Sequence, residues 1–275
     1  MTINKSQGQT FYMLHKIKSV YVDGLMSCMD KTYISSTWSQ TGTVSGRLSA
    51  KHPNIQAIPK QPIQILKSHC CEGRKSEMVI IYPRNMFIPS KGYTFLTADF
   101  SHVELRLLAH LSLDPELLKL FQDSEITDVF TTLFSHWRGI PETQVTLQER
   151  EQAKRITYSL IYGAGKERLS GELHITSEKV TQFVESFMDR FKDIQSFSRR
   201  TIQQCKAKGY VVSIMGRKRL LPYVTSQDYS IRCKAERQAV NFVLQGSAAD
   251  LCKIAMITVS SYIAAIPTLC ARIFL

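Results

Sequence analysis

The segment Arg150-Glu-Gln-Ala-Lys-Arg-Ile-Thr-Tyr-Ser-Leu-Ile-Tyr-Gly163 places two cations and two aromatic residues at every fourth position. In an α-helix a step of four rotates the position by only about 40°, so Arg150, Lys154, Tyr158 and Tyr162 share one broad face. Such a face suits a nucleotide, because cations bind phosphates while rings stack on the base and sugar. The alternative is an amphipathic surface helix whose long side chains reach solvent. A helix over 146–162, ending at Gly163, is predicted in either case.

Upstream lies Asp99-Phe-Ser-His-Val-Glu-Leu-Arg106. Tyr93–Ala98 has the composition of a strand and an apolar helical pattern begins at Val103, so Asp99 is predicted at a strand-to-helix junction facing a cleft. Nucleotidyl transfer by two metal ions requires carboxylates in such a place. The alternative is that Asp99 caps the following helix.

Downstream, Arg237, Asn241 and Gln245 repeat the spacing of four within a helix predicted over 232–263, with an interruption near Gly246. Hydrogen-bonding side chains on one face, with apolar neighbours, suit contact with the minor groove of DNA. The alternative is an ordinary polar face.

Toward the N-terminus, residues 41–64 indicate an ordered loop region, because small and polar residues replace any steady apolar period. Small residues flank Arg47 and let the backbone approach a phosphate or a groove closely. Asn54 and Gln56 follow shortly after it. The alternative is a plain turn.

Several elements frame these motifs. The sequence predicts a strand at Val79–Tyr82, a hairpin over 210–221 and a surface insertion at 68–77. Thr176 is predicted to cap a long helix. The buried stripe of that helix comprises Val180, Phe183, Val184, Phe187, Met188 and Phe191.

The segment Ile254–Ala271 has no charged residue and reaches the lower length limit for a membrane-spanning helix. Because Pro267 would break the helix near its end, a buried helix followed by a turn and a core strand is favoured, and no membrane partner is expected.

Net charge and cysteine content indicate the kind of partner and the redox environment of the protein. A net charge of +12 over 275 residues favours polyanionic partners, nucleic acid before anionic membrane. The seven cysteines indicate reduced intracellular thiols, since the adjacent pair Cys70 and Cys71 does not match the spacing of zinc ligands.

In order and spacing these motifs closely resemble the family A (DNA polymerase I-like) DNA polymerases, from about His15 to the C-terminus. Family motif A matches residues 99–106 and motif B matches residues 150–163. A further helix motif of the family matches residues 235–250, and two loop motifs match residues 45–49 and 53–56. Details at 162–169 and 212–217 are most similar to a vertebrate branch of the family.

The resemblance implies a fold and a location. The fold is α+β and helix-rich, with the palm and fingers subdomains of a right-hand polymerase and antiparallel palm strands. Residues 1–40 would end the thumb and connect to the palm, 41–120 form palm with motif A, 121–231 form fingers with motif B, and 232–275 return to the palm. It also implies action in DNA replication and repair in the nucleus.

The resemblance implies catalytic and nucleotide-binding roles as well. Asp99 would bind two catalytic Mg²⁺ ions with help from the Phe100 carbonyl, and Glu104 would exclude a ribose 2′-hydroxyl. Arg150 and Lys154 would hold the triphosphate of a deoxynucleotide, with Lys154 as a general acid.

Tyr158 would lie against the sugar and base, and Tyr162 would stack at the templating position. The remaining implied residues contact primer–template DNA: Arg47, Asn54, Gln56, Arg237, Asn241 and Gln245.

Four positions depart from the family pattern. His102 replaces a Gln, Ala57 an Asn that many bacterial members have, and Thr127 a His that contacts the triphosphate, while Arg155 adds a cation. These departures lead to the hypothesis of low fidelity.

In the family, the strand at 270–275 continues into motif C, whose Asp is the second metal ligand, and that Asp is not among the 275 residues. The polypeptide by itself is therefore expected to polymerise poorly. A non-catalytic protein that binds DNA or nucleotide is the alternative. A single-subunit RNA polymerase is a third reading, against which Glu104 and the 235–250 helix argue.

Overall fold

The computed structural model describes residues 15, 17–31, 33–67, 77–123, 128–163, 170–171 and 176–273. The chain divides into two compact units, one of residues 1–43 and 48–99, the other of residues 44–47 and 100–275. Helices predominate and every described strand pair is antiparallel. The predicted helix-rich α+β class is thus confirmed.

The first unit consists of short strand pairs and turns. A π-helical segment at Ile17–Asp23 and a single turn at Gly24–Met26 precede them, and 3₁₀ turns lie at Ile55–Ala57 and Pro83–Met86. The strand predicted at Val79–Tyr82 is confirmed over residues 79–81 of β6, while Tyr82 precedes the 3₁₀ turn at Pro83–Met86. The pairs are β1 Met29–Asp30 with β2 Tyr33–Ile34, β3 Trp38–Ser39 with β4 Ser49–Ala50, and β5 Ile63–Lys67 with β6 Glu77–Ile81.

The strand predicted at Tyr93–Ala98 is wrong. These residues are extended but belong to no assigned strand, and every side chain from Tyr93 to Asp99 is exposed. A strand exists only as part of a hydrogen-bonded ladder, and the ladders within the described residues join other segments. β-propensity in this segment therefore does not decide its structure.

Within the described residues, the second unit contains seven helices of eight residues or more and one hairpin. The hairpin pairs β7 Tyr210–Val212 with β8 Lys218–Leu220, as predicted, and a 3₁₀ turn at Pro222–Thr225 follows it. The helices are α1 Val103–Ser112, α2 Pro115–Gln122, α3 Val129–Arg138, α4 Leu147–Ile161, α5 Ser177–Arg190, α6 Lys192–Lys208 and α7 Tyr229–Ala265.

Local capping fixes where two of the predicted helices begin. Thr146 accepts a hydrogen bond from the Glu149 amide, while the Glu149 side chain accepts one from the Thr146 amide, which together form a capping box at the start of α4. These bonds hold the pKa of Glu149 below its usual value. Thr176 caps α5 by accepting from the Lys179 amide, as predicted.

The core of the second unit lies between α1 and the helices that follow it. The predicted stripe of α5 contributes to it, since Val180, Phe183, Phe187 and Phe191 are buried. Other members come from α1, α3, α4 and α7: Leu105, Leu108, Phe130, Leu133, Ala153, Ile156, Val240 and Leu244. Because α4 buries Ala153 and Ile156 here, its cation-bearing face is turned away from the core.

Helix α7 differs from its prediction in two ways. It is continuous through Gly246, because the missing side chain makes room for the Phe242 ring: a Cβ there would lie 3.3 Å from it. Residues 254–262 are mostly exposed rather than buried, and no strand follows at 269–273. By length and composition α7 is able to cross a membrane, a test that buried core helices also pass, and 39% of its most apolar window is buried.

Some predictions fall on residues outside the described ranges. They are the surface insertion over 68–76, with Cys70 and Cys71, and the nucleotide-site departure Thr127.

Candidate functional site

The outward face of α4 carries the four residues of the opening motif. Ala153, Ile156, Thr157 and Ile161 are buried on the opposite side. Arg150, Lys154, Tyr158 and Tyr162 are all partly exposed. The predicted shared face is therefore present, with cations at the N-terminal end and rings at the C-terminal end.

The two tyrosines form part of an aromatic layer. The rings of Tyr158 and Tyr162 stack with centroids 6.2 Å apart and planes 22° apart. Phe130, from the first turn of α3, lies 5.8 Å from Tyr158 and is fully buried. This layer offers a flat partner to a base or sugar.

Glu104, from the first turn of α1, reaches the end of α4. Burial raises the pKa of Tyr162, and the nearby Glu104 carboxylate, which is hydrogen-bonded to Tyr162, raises it further. The Tyr162 hydroxyl is therefore protonated at neutral pH and donates to Glu104. The structure thus joins the predicted steric gate to the predicted templating ring.

Arg150 is held by two carboxylates. Its Nε donates to Asp128 Oδ2 at 3.0 Å and its Nη2 donates to Asp128 Oδ1 at 2.7 Å, while Nη1 donates to Glu151 Oε1 at 2.8 Å. The bond to Asp128 raises the pKa of Arg150. Burial opposes ionisation of Asp128, but bonds from Arg150 and Thr131 outweigh it and lower the pKa of that carboxyl.

His102 lies beside this ion pair. Its ring meets Phe130 edge-on with centroids 4.7 Å apart, and its Nε2 lies 3.9 Å from Asp128 Oδ1. Burial lowers the pKa of His102, with nearby cations adding to the effect. Ser101 and His102 both have positive φ, 48° and 65°, and backbone of this kind in non-glycine residues concentrates at functional sites.

The C-terminal end of α4 meets α7 at Gly163. A Cβ on this glycine would lie 2.7 Å from Cγ of Arg237, and its φ of 70° suits glycine. Arg237 is exposed, while Asn241 and Gln245 are partly exposed on the same face of α7. The Oδ1 atom of Asn241 is buried and accepts no hydrogen bond from the residues that the structure describes.

Arg47 lies in a segment that Arg217 anchors. Arg217 Nη2 donates a hydrogen bond to the Ser45 carbonyl at 2.9 Å. A Cβ on the next residue, Gly46, would collide with the same guanidinium. Arg217 also pairs with the buried Asp250 of α7. Arg47 itself is exposed and close enough to Tyr162 to act on it electrostatically.

Asn54 and Gln56, the predicted DNA contacts of the first unit, are both exposed, and Gln56 also bonds to the backbone. Gln56 bridges the backbone, because its Oε1 accepts from the Ala50 amide at 3.1 Å and its Nε2 donates to the Leu48 carbonyl at 3.1 Å. Gln56 is exposed as well and shapes the β4 edge in this structure.

The predicted metal ligands Asp99 and Phe100 are exposed. Among the residues that the structure describes, no group of three or more acidic, His or Cys side chains forms a metal site. Mg²⁺ is held in nucleotidyl-transfer sites by one or two carboxylates together with substrate phosphates, so an accessible carboxylate such as Asp99 fits this cation chemically.

Sequence reasoning missed Asp128, Phe130 and the Arg217–Asp250 pair. An N-cap signal exists at Asp128, since an Asp precedes an apolar helical run. Nothing in the sequence connects that Asp to Arg150, which lies 22 positions later.

Comparisons with known proteins agree with these motifs. The sequence profile described as DNA polymerase family A matches residues 7–275. DNA polymerase I of Bacillus caldotenax is 33% identical over 256 residues, which are 92% of this chain and 27% of that protein. The thermostable DNA polymerase I of Thermus aquaticus is 34% identical over 247 residues, 89% of this chain and 28% of that protein. The chain thus spans just over a quarter of the length of these relatives.

A solved structure is similar as well. The POL domain of Pol1 from M. smegmatis, in complex with DNA primer-template and dNTP, matches with a TM-score of 0.75 and 31% identity. The match covers 95% of this chain and 42% of that chain.

Proposed function

The chain belongs to DNA polymerase family A, and on that premise we propose that it forms the palm and fingers portion of a DNA-directed DNA polymerase. The observation that carries the proposal is the face of α4. Arg150 and Lys154 lie next to the stacked rings of Tyr158 and Tyr162, and Glu104 reaches the last of these rings. Primer–template DNA and deoxynucleoside triphosphates are the proposed partners, without a membrane.

In this proposal Arg150 and Lys154 bind the triphosphate, and Lys154 acts as general acid for the leaving pyrophosphate. Tyr158 lies against the incoming sugar and base, and Tyr162 stacks at the templating position. Glu104, held by the Tyr162 hydroxyl, disfavours a ribose 2′-hydroxyl. Asp99 and the Phe100 carbonyl would hold Mg²⁺, which supplies charge neutralisation of the triphosphate when bound.

The proposed DNA-binding residues are Arg47, Asn54, Gln56, Arg237, Asn241 and Gln245. The contact of Gly163 with Arg237 supports a path for DNA that continues from the nucleotide face. Residues 41–120 and 232–275 are assigned to the palm, 121–231 to the fingers and 1–40 to the end of the thumb. Motif details favour the branch of vertebrate DNA polymerase nu, with nuclear DNA repair or replication as its setting.

Low fidelity belongs to the same proposal. His102 replaces the family Gln next to Phe130, and Arg155 adds an exposed cation to α4. A misincorporation assay on a full-length parent tests this point. Accuracy equal to that of the bacterial enzymes would refute it.

Primer extension with Mg²⁺ tests the proposed function. We expect the 275-residue polypeptide to bind primer–template DNA but to extend it poorly, because only one of the two family carboxylates lies within it. Asp99→Ala should abolish any extension, whereas Asp30→Ala, which removes another exposed carboxylate of the first unit, should not.

The outcomes separate the alternatives. Vigorous extension that depends on Asp99 would contradict the expected impairment and support the polymerase. Binding without extension would favour a non-catalytic DNA- or nucleotide-binding protein. Absence of both binding and extension would overturn the proposal.

Two neighbouring variants on α4 test the nucleotide face. Lys154→Ala should weaken deoxynucleotide binding about 10- to 100-fold, the effect of losing a hydrogen bond to a charged group. Arg155→Ala is the matched control, because Arg155 is exposed on another side of the helix. Equal losses of affinity in the two variants would show that deoxynucleotide binding depends only on the net charge of the protein.

Glu104→Ala tests substrate choice. Loss of this carboxylate should raise ribonucleotide binding or incorporation relative to deoxynucleotide. A parent that already prefers ribonucleotides would instead indicate an RNA polymerase.

A further inference from the structure

Every nitrogen of the Arg150 guanidinium donates to a carboxylate. Asp128 receives the Nε and Nη2 bonds, at 3.0 and 2.7 Å, and Glu151 receives the Nη1 bond at 2.8 Å. The Arg150 side chain is only 26% exposed, and Asp128 is 21% exposed. The cation assigned to the triphosphate is therefore already engaged on its forked edge.

That edge is also one through which a guanidinium binds phosphate. A guanidinium binds carboxylate and phosphate through the same pair of parallel N–H donors, so the two anions compete for one geometry. The donors that the observed bonds leave over belong to Nη1 and Nη2, so a phosphate that reaches Arg150 while Asp128 is bound can use only these. A triphosphate that takes the Nε and Nη2 edge must displace Asp128.

We propose that Asp128 is a built-in competitor of the triphosphate, occupying the Arg150 fork and lowering the affinity of the site for nucleotide. The inference rests on the proposed nucleotide role of Arg150. It adds a residue that holds back binding to the residues that promote it.

Asp128 keeps hydrogen-bond donors when Arg150 is released. Its Oδ2 also accepts hydrogen bonds from the Thr131 amide and the Thr131 hydroxyl, both at 2.8 Å, as the N-cap of α3. Arg150 is the member that moves, because its long side chain has rotamer freedom and α3 begins at Asp128. The Phe130 ring centroid lies 5.9 Å from the guanidinium carbon of Arg150.

Asp128→Asn removes the competing charge and keeps the cap, since Asn is an equally good N-cap residue. Asp228→Asn is the matched control: Asp228 caps α7 by accepting from the Ile231 amide at 3.0 Å and has no described bond to Arg150. Titration of the 275-residue chain with dTTP, and separately with inorganic tripolyphosphate, measures affinity at constant ionic strength.

We expect Asp128→Asn to bind both probes about 2- to 5-fold more tightly, the gain from freeing a cation that a partly exposed ion pair now occupies. Asp228→Asn should match the parent. In an Arg150→Ala background the gain from Asp128→Asn should vanish, because there is no fork left to release. If Asp128→Asn binds the probes with the same affinity as the unsubstituted chain, or with lower affinity, the proposed competition is overturned. Lower affinity would mean that Asp128 positions Arg150 for binding.

A second measurement needs no nucleotide. Phenylglyoxal modifies accessible guanidinium groups, and peptide mapping reports its rate at Arg150. Asp128→Asn should accelerate the reaction at Arg150 and leave other arginines unchanged, whereas an unchanged rate overturns the occupied fork. If neither parent nor variant binds either probe, the proposed function falls and the competition falls with it, an outcome distinct from binding without a gain.

Discussion

In helix α7 the half that carries charged residues is largely buried, whereas the apolar half is largely exposed. The first half, Tyr229–Asp250, contains several charged residues, yet most of its side chains from Ala239 onward are buried. The second half continues to Ala265 and has no charged residue after Lys253, yet Ile257 is 66% and Tyr262 65% exposed. The more apolar half is the more exposed one.

The difference lies in what each half packs against. Helix α7 contacts α1, α6 and the β7 strand of the hairpin, and its residues that are buried in the two hydrophobic cores all belong to the first half. Arg217 fastens it there by donating to the Gly246 carbonyl and pairing with Asp250, and the guanidinium groups of Arg217 and Arg219 flank the Phe242 ring at 5.7 and 5.8 Å. Apolar composition permits burial but does not cause it; a partner surface does.

Leu244→Ala should show the largest effect on this contrast. Leu244 is completely buried in the first half, so its truncation leaves a cavity and should lower the free energy of unfolding by about 3–4 kcal/mol. Ile257→Ala is the matched variant in the second half and should cost less than about 0.5 kcal/mol. Urea denaturation followed by circular dichroism measures both, and similar losses would erase the contrast.

Arg217→Ala should follow in size. It leaves the Asp250 carboxylate buried without its partner, which costs about 2–3 kcal/mol, at the low side for buried ion pairs because the Arg217 side chain is 38% exposed. Adding Asp250→Asn should restore part of the loss, since the orphaned group is then neutral. Failure of that rescue would mean that Arg217 acts through its hydrogen bonds to the Ser45 and Gly246 carbonyls rather than through Asp250.

What the sequence predicted correctly is local. Helix α4 is defined by its own apolar spacing and the Thr146 capping box, and α5 by Thr176 and its phenylalanine stripe. The shared face of Arg150 and Tyr158 follows from helical geometry alone. These features need no knowledge of any distant segment.

What the sequence did not predict depends on distant partners. Tyr93–Ala98 has strand composition but no assigned strand, because pairing is a property of two segments. Gly246 was expected to interrupt α7, but a buried ring beside it makes glycine a packing residue. The bond of Asp128 to Arg150 joins positions 22 apart and carries no periodic signal.

Gly246→Ala sharpens the contrast on a smaller scale. Alanine is the better helix former by about 1 kcal/mol, which would favour the substitution at an exposed position. Here the new Cβ would lie 3.3 Å from the Phe242 ring, which is itself buried and flanked by two guanidinium groups. We expect a net loss of about 1–2 kcal/mol from overpacking, measured by the same urea titration. A gain in stability would show that Phe242 has room to move.

Thr258→Ala gives the smallest effect and has the opposite sign. Thr258 is exposed in the second half of α7, so its replacement changes helix propensity and little packing. The lower cost of ordering alanine in a helix should raise the free energy of unfolding by about 0.5 kcal/mol. The shift in the urea midpoint between the two proteins measures it. A loss above about 1 kcal/mol, which surface substitutions rarely cause, would mean that the second half of α7 is packed in solution and that its burial follows its composition after all.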